Sequence, residues 1–579
     1  MLNNINNIDF QAILENISDE KVRTGFGLLL NLIEELVAEN RTLRDENQRL
    51  RDEINRLKGE QGKPDFKPPK PPLYPDEPGD HSSEKERHKP KDWRKGAKLP
   101  HIKHDRVQEL HVDPAILPRD AVRKGYEEVI VQDVVIQTDN VLFIKEKWYS
   151  PSTGKTYLAE LPKGYHGEFG PGLKSLVLAL YFGSNMSQPK ILELLTEAGV
   201  ILSAGTLSRM LSSDFENFEN FEQEYDEIYR AGLESSSWQG TDHTSTTING
   251  EQQQCQVVGN TFYSIYATTV GKDRLSILAV LQNQHLRSQR GQQCGQQCGQ
   301  QGQSSCLLNE EAHRYLEGFK FSGVIRGILR ELPQNEIIPE SVFKALLTEN
   351  LPQLTEQQFK QVLDAAAIAA YHAQEEWPVV HLLLCDDAPA FKGITVRLQL
   401  CWVHEGRHYK KLVPVVPMHR ESLEEFRKNF WGYYDELLAY REHPTAQERE
   451  RLSLEFDRIF SQRTGYQDLD RRIELTRAKK GELLTVLEYP EVPLHNNDCE
   501  LAARGRVRKR DVSFGPRSQK GSRAWDIFMS LGSTARKLGV NFQRYLYDRI
   551  SKSYRMPSLA SLIEQYAHGR ANGVYAVAA

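Results

Sequence analysis

The stretch from Trp238 to Thr269 constrains the fold more than any other, because two tight turns divide it into three short runs of strand-forming residues. Trp238 to Ile248 ends in clustered β-branched residues just before Asn249-Gly250, a pair that favours a type I′ hairpin. Gln254 to Val258 reads as a second strand, Gly259-Asn260 as a second tight turn and Thr261 to Thr269 as a third strand. The expectation is an antiparallel three-strand meander, with Asp242 on its first strand.

Two further acids stand at comparable positions. Asp386 follows Val379 to Cys385, an apolar run with the length of a buried strand, and Asp386-Asp387-Ala-Pro ends that run with polar and turn-forming residues. Glu500 lies in Asn496-Asn-Asp-Cys-Glu500-Leu-Ala-Ala-Arg504, where asparagines suit an N-cap and alanines a helix. An acid on a first strand, one at the end of a later strand and one on a helix is the order a ribonuclease-H-like nuclease core needs. Carboxylates meeting at one sheet edge repel unless divalent cations neutralise them, and such hard oxygen ligands suit Mg²⁺, with Mn²⁺ able to substitute. Two ions roughly 3.5–4 Å apart can clamp the attacking and leaving oxygens of a phosphodiester. DNA strand chemistry is therefore the leading reading of Asp242, Asp386 and Glu500, as both metal ligands and catalytic acids. Each acid also has a local explanation: a solvated strand end for Asp242, Asp387 as competitor for Asp386, and a capping-box or Arg504 ion-pair spacing for Glu500.

The segment Pro493 to Arg504, continuing through Arg508-Lys509-Arg510, Phe514-Gly515 and Gly521 to Ser533–Val540 and Tyr545-Leu546, resembles the C-terminal signature of the IS66 family of DDE transposases. Asp386 to Phe391 is similar to the family's second-aspartate motif, whose register favours Asp386 over Asp387. Thr241-Asp242-His243-Thr244 resembles its first-aspartate motif, and Cys401-Trp402-Val-His404 with Arg407 its Cys-Trp-x-His segment. The resemblance runs from about residue 165 to 550 and implies Mg²⁺-dependent cleavage at transposon ends and strand transfer into target DNA. Many relatives carry a Cys-x-x-Cys zinc element that residues 100 to 165 lack, so zinc is not expected.

At the N-terminus Leu29, Leu36, Leu43, Leu50 and Leu57 recur every seven residues, with Ile33, Asn40, Asn47 and Ile54 at the companion position. This predicts a parallel coiled coil, a homodimer in which Asn40 and Asn47 disfavour higher oligomers, although assembly into higher oligomers on DNA stays open. A surface helix packed on its own domain is the alternative. From Gly62 to about Lys98 a Pro/Lys-rich linker is expected, and Val129–Ile136 with Val141–Trp148 predict a small β-ribbon. Pro171–Tyr181, Gln188–Ala198 and Ser203–Leu211 predict three short helices that fit a helix-turn-helix, with Thr206 and Arg209 among the groove-facing candidates, or equally an ordinary three-helix unit. The DNA role of these helices rests largely on the resemblance.

Arg504, Arg506, Arg508, Lys509 and Arg510, followed by Arg517, Lys520 and Arg523, form the densest basic segment and predict phosphate contacts. Phe514 within it is expected in the core rather than stacked on a base. Cys401 and His404 invite a metal reading, but their spacing is not that of a structural zinc site, and a structural role beside the catalytic edge is preferred. The Gln/Cys-rich tract Gln282 to Gln303 reads as a disordered insertion, and Glu421–Lys480 as a helical one.

The expected layout is an α+β multidomain chain. It comprises a dimerisation segment at 1–60, a linker at 61–105, a ribbon at 106–165, a helix-turn-helix-like region at 166–215, a ribonuclease-H-like DDE domain at 235–550 and a tail at 551–579. The DDE domain would carry insertions at about 282–376 and 421–485. With a net charge of −5, no apolar run able to span a bilayer, no secretory signal and seven unevenly spaced cysteines, the reading is a cytoplasmic, nucleoid-associated protein. Its partners would be double-stranded DNA, at both ends and target, and possible accessory proteins. A DNA-binding regulator with an inactive nuclease-like body, or a zipper-organised scaffold, are the competing classes.

Overall fold

The structure, a computed structural model, describes residues 10–58, 105–118, 121–127, 129–165, 167–212, 219–284 and 304–571. Most of the linker and the Gln/Cys tract from 285 to 303, with its Cys294 and Cys298, lie outside them. The chain is mixed α and β. In order it forms α1 (Phe10–Asn16), α2 (Glu20–Leu57), the ribbon β1 (Lys147–Ser150) and β2 (Lys155–Leu158), α3 (Pro171–Leu178), α4 (Gln188–Glu197), α5 (Ala204–Ser212) and α6 (Glu219–Glu234). Then come β3 (Trp238–Ile248), β4 (Glu251–Gly259), β5 (Ser264–Thr269), α7 (Arg274–Leu281), β6 (Ser305–Leu307), α8 (Glu310–Glu317), α9 (Gly323–Glu331), β7 (Ile337–Pro339), α10 (Glu340–Asn350) and α11 (Glu356–Ala373). The last part holds β8 (Leu382–Cys385), β9 (Arg397–Leu400), α12 (Trp402–Lys410), α13 (Pro417–Glu442), α14 (Ala446–Ile459), α15 (Gln467–Arg477), α16 (Asn497–Ser513), α17 (Gln519–Lys537), α18 (Phe542–Ile550) and α19 (Leu559–Ala571).

The central sheet has five strands in the order β5-β4-β3-β8-β9. β3, β4 and β5 are the meander, each antiparallel to the next, and Asn249 and Gly250 turn the hairpin with φ of 51° and 87°, the two left-handed residues a type I′ turn requires. β8 and β9 add in parallel on the other side of β3. Their burial explains their composition: Leu382, Leu383, Leu384 and Cys385 are all buried, as parallel strands covered on both faces must be.

β5 is an edge strand, and α17 seals it with side chains spaced four apart. The Thr268 N–H donates to Asp526 Oδ2 (2.8 Å), Tyr266 N–H to Ser530 Oγ (2.9 Å) and Ser264 N–H to Thr534 Oγ1 (3.3 Å). A helix repeats its face every three to four residues and a strand every two, so polar groups four apart on α17 meet alternate amides of β5. Asp526 also takes the Thr268 hydroxyl and an ion pair with Arg506 of α16 at 3.2 Å, both partners being 1% exposed. Arg506 donates to Thr268 Oγ1 as well (3.0 Å) and lies over the Trp525 ring. One buried charge pair thus joins α16, α17 and the sheet edge.

α2 is a single helix, as the heptads predict, and its first half docks on the chain. Leu30 is buried against Val416, and the buried Glu34 carboxylate accepts from the Val415 and Val416 amides at the start of α13 and from His419 Nδ1 (3.2 Å). An anion at that end suits the helix dipole. Leu29, Leu36, Leu43, Leu50 and Leu57 stay 49–79% exposed, while Ile33 at the companion position packs against this contact.

One sequence expectation does not hold here. Residues 129–136 form no strand; the ribbon is β1 and β2, turning at Ser152–Gly154. β9 stops at Leu400, and Trp402 opens α12 and spends its indole N–H on the Leu483 carbonyl (2.9 Å). No helix of the described residues is long and apolar enough to cross a membrane.

Because removing one partner of a buried pair strands the other charge, Arg506→Met is expected to cost roughly 3–5 kcal/mol in urea unfolding at pH 8. The double variant R506M/D526N should cost less than the sum of the two single changes.

Candidate active site

β3 pairs in parallel with β8 as Trp238 with Leu382, Gln239 with Leu383 and Gly240 with Leu384. Two more steps along the same register set Asp386, the first residue past β8, beside Asp242. Adjacent strands lie about 4.8 Å apart, so two carboxylates at matched positions are electrostatically coupled. Burial raises the Asp242 carboxyl to about 7, helped by the charges of Glu500 and Asp386 and opposed by the His243 amide and Arg407. Asp386 Oδ1 accepts from the Ala388 amide (3.2 Å). Asp387 faces elsewhere: despite partial burial, Lys479 and Lys392 hold its carboxyl below the usual range. Side-chain pairing thus separates the two neighbouring aspartates.

Glu500 arrives on the first turn of α16, which is pinned to β3 beside Asp242. Asn496, at the N-cap position, does not cap; its Nδ2 donates to the Thr241 carbonyl (2.6 Å). The close approach needs Gly240, where an added Cβ would lie 2.8 Å from Asn496 Oδ1 and 3.0 Å from Cys499 Sγ. Glu500 is 5% exposed, and around it stand Arg407 (3.1 Å), Arg504 (3.6 Å) and His404 Nδ1 (3.6 Å). Arg407 Nη1 donates to His404 Nε2 (2.9 Å), which leaves the ring proton on Nδ1, facing Glu500 Oε1. Among the described residues, neither His404 Nδ1 nor Glu500 Oε1 has a hydrogen-bond partner.

α12 is held in place by Cys401 N–H on the Cys385 carbonyl and Trp402 N–H on the Leu494 carbonyl, both 2.9 Å. It therefore follows the same strand ends that carry Asp386. Cys401, His404 and Glu500 each offer a ligand atom within 4.8 Å of the others. Burial pushes the Cys401 thiol up to about 11 and the His404 imidazole down, and the Glu500 carboxylate is the hard oxygen donor of this trio.

The basic segment divides in a way the sequence does not reveal. Arg506, Lys509 and Arg523 are expected on phosphates, yet all three are buried: Arg506 on Asp526, Arg523 on Glu222 at 2.5 Å, and Lys509 on the Tyr181 carbonyl and over the Tyr181 ring (3.2 Å). Burial brings the Lys509 ammonium down to about 7. Arg504 reaches Glu500 and Arg510 reaches the Ser245 carbonyl, while Arg508, Arg517 and Lys520 are exposed. Phe514 is not in the core but 85% exposed. On α5, Arg209 donates to Thr206 Oγ1 (3.1 Å), and Leu207, Met210 and Leu211 are buried. Sequence reasoning assigns Arg407 and Asn496 no role at the acids; the three-residue spacing of His404 and Arg407, one helical face, is the available signal.

Asp242 supplies a test by linkage. Its folded value is raised, so its contribution to stability is fully present below the unfolded carboxyl's value and is lost as pH rises to about 7, where the buried group must ionise. In metal-free buffer Asp242→Asn is expected to raise Tm by several degrees at pH 8 and to leave it nearly unchanged near pH 4, read by scanning calorimetry.

Comparison with known proteins gives residues 364–524 as a match to the family model described as "Transposase IS66 family", a span that includes Asp386 and Glu500. A protein of Sinorhizobium fredii described as "Uncharacterized protein y4jO" is 29% identical over 323 residues, covering 56% of this chain and 94% of the relative. No solved structure matches significantly. Residues 364–524 of the chain thus match a domain of the IS66 transposase family.

Proposed function

We propose that the chain is a DDE-type transposase that binds transposon ends and catalyses metal-dependent strand cleavage and strand transfer, with Asp242, Asp386 and Glu500 as its catalytic acids. One observation carries this: the parallel register of β3 and β8 sets Asp386 beside Asp242, and burial, with the charges of Glu500 and Asp386 acting on it, raises the Asp242 carboxyl to about 7. A divalent cation relieves both penalties. The order β5-β4-β3-β8-β9, with only β4 reversed, is the order expected of a ribonuclease-H-like core and supports the same reading.

The donor set fits a hard cation: carboxylate oxygens, among them Glu500 Oε1, which accepts no hydrogen bond from the described residues. Bound there, Mg²⁺ or Mn²⁺ would polarise the scissile phosphate and lower the pKa of the attacking hydroxyl. The chain's own groups do the rest. Asn496 fixes the α16 terminus against β3, Arg407, itself bonded to His404 Nε2, donates to the Glu500 carboxylate and orients it, and Arg504 and Arg508 lie on the same helical face to receive phosphates. The helices α3, α4 and α5 are the DNA-end-binding unit in this reading, with Thr206 and Arg209 on its final helix. A second copy is the partner we assign to the exposed leucine seam of α2.

With Mg²⁺ and a plasmid carrying the element's ends, the wild-type protein should nick or cut at the ends. Asp242→Asn, Asp386→Asn and Glu500→Gln should each lower that rate by on the order of 10³ while end binding persists; Asp387→Asn should cut nearly normally. Retained cutting by the first three would overturn the assignment. For the seam, light scattering should find a dimer in the wild type and a monomer in Leu36→Lys/Leu43→Lys.

A further inference from the structure

We propose that Phe514 is a stacking platform for an unpaired nucleobase, at the far end of a phosphate track that starts at Glu500; this rests on the DNA-processing reading above. Phe514 is 85% exposed and sits in the left-handed region with φ 57°, a conformation that a bulky aromatic residue adopts at a cost. An exposed ring in a strained backbone is doubly unfavourable unless something uses it.

The turn that carries it is held firmly. The Phe514 amide donates to the Arg510 carbonyl (2.7 Å), and Gly515, with φ 82°, packs so closely on the β3–β4 hairpin that a Cβ there would lie 2.8 Å from the Thr247 carbonyl oxygen. The Asn249 amide donates to the Pro516 carbonyl (3.1 Å), and Arg510 grips Ser245 of the same hairpin. The ring is thus presented from a fixed support.

Its surroundings point to nucleic acid rather than to an apolar partner. Glu500, Arg504 and Arg508 are spaced four apart and lie on one face of α16, which leads to Phe514. Beyond the ring Arg517 and Lys520 are exposed; the nearest carboxylate on this stretch, Asp511, faces Arg510 at 3.9 Å. At 1.5 Å per residue the run from Glu500 to Phe514 covers about 21 Å, or roughly six steps of a nucleic-acid strand at 3.4 Å each. A strand whose phosphates follow Arg504 and Arg508 would bring a base about six nucleotides from the acids onto the ring. Stacking needs only the base's flat face, so the platform would accept any base freed from pairing.

The test is anisotropy of the full-length protein with a fluorescein-labelled 30-base-pair duplex, blunt or carrying a six-nucleotide unpaired end. The wild type should prefer the unpaired end by roughly 5- to 100-fold. Phe514→Ala should erase that preference with blunt binding unchanged, Phe514→Trp should keep it, and Arg508→Ala/Arg517→Ala should weaken both probes. A preference that survives in F514A overturns the platform, as does F514A altering the oligomeric state while leaving both affinities alone. A wild type that binds neither probe sinks the DNA reading itself, and a wild type that binds both equally sinks the platform alone.

Discussion

The Arg506–Asp526 pair is the contact on which the remaining geometry depends. Each helix that carries a partner also serves the sheet, since α16 brings Glu500 to β3 and α17 occupies the edge of β5. If the two helices were joined only by apolar contact, they could slide along the sheet at small cost. A buried charge tolerates no such slip, because losing its partner leaves it unsolvated. Asp526 is satisfied in three directions at once, by Arg506 and by the amide and hydroxyl of Thr268, so the helix pair has one position on the sheet.

The second constraint is the strand register. Asp242 and Asp386 are far apart in sequence, and only the parallel alignment of β3 with β8 sets them side by side. Shifting a strand by one residue would turn the acid to the opposite face, so burial of Leu382–Cys385 on both sides of the sheet does more than stabilise it. The core decides which face the carboxylates meet on. Asp387, one place further, points toward Lys479 and Lys392 for the same reason.

Much of this is legible in the residues. The meander is written in its β-branched runs and the Asn249-Gly250 pair, α2 in its heptads, and the helical body in the spacing of Leu423, Phe426 and Phe430, all of them buried. What the residues do not disclose is which charges are inside. Arg506, Lys509 and Arg523 are indistinguishable from Arg508 and Lys520 in a string of letters, because α16 turns by about 100° per residue and its inner face depends on where the sheet lies. Phe514 departs from expectation for the opposite reason: hydrophobicity argues for the core, but the left-handed turn that ends α16 carries it outward. The expected ribbon over residues 129–148 fails because alternation alone does not supply a neighbouring strand.

The β5 margin of the sheet is closed, its spare amides taken by α17. At β9 the Leu398 carbonyl accepts from Thr485, and the Gln399 side chain bonds to Leu483 and Val486. The β5 border offers no free ladder on which a foreign strand could extend. A second copy approaching this margin would therefore find no strand to extend and would meet side-chain surfaces instead.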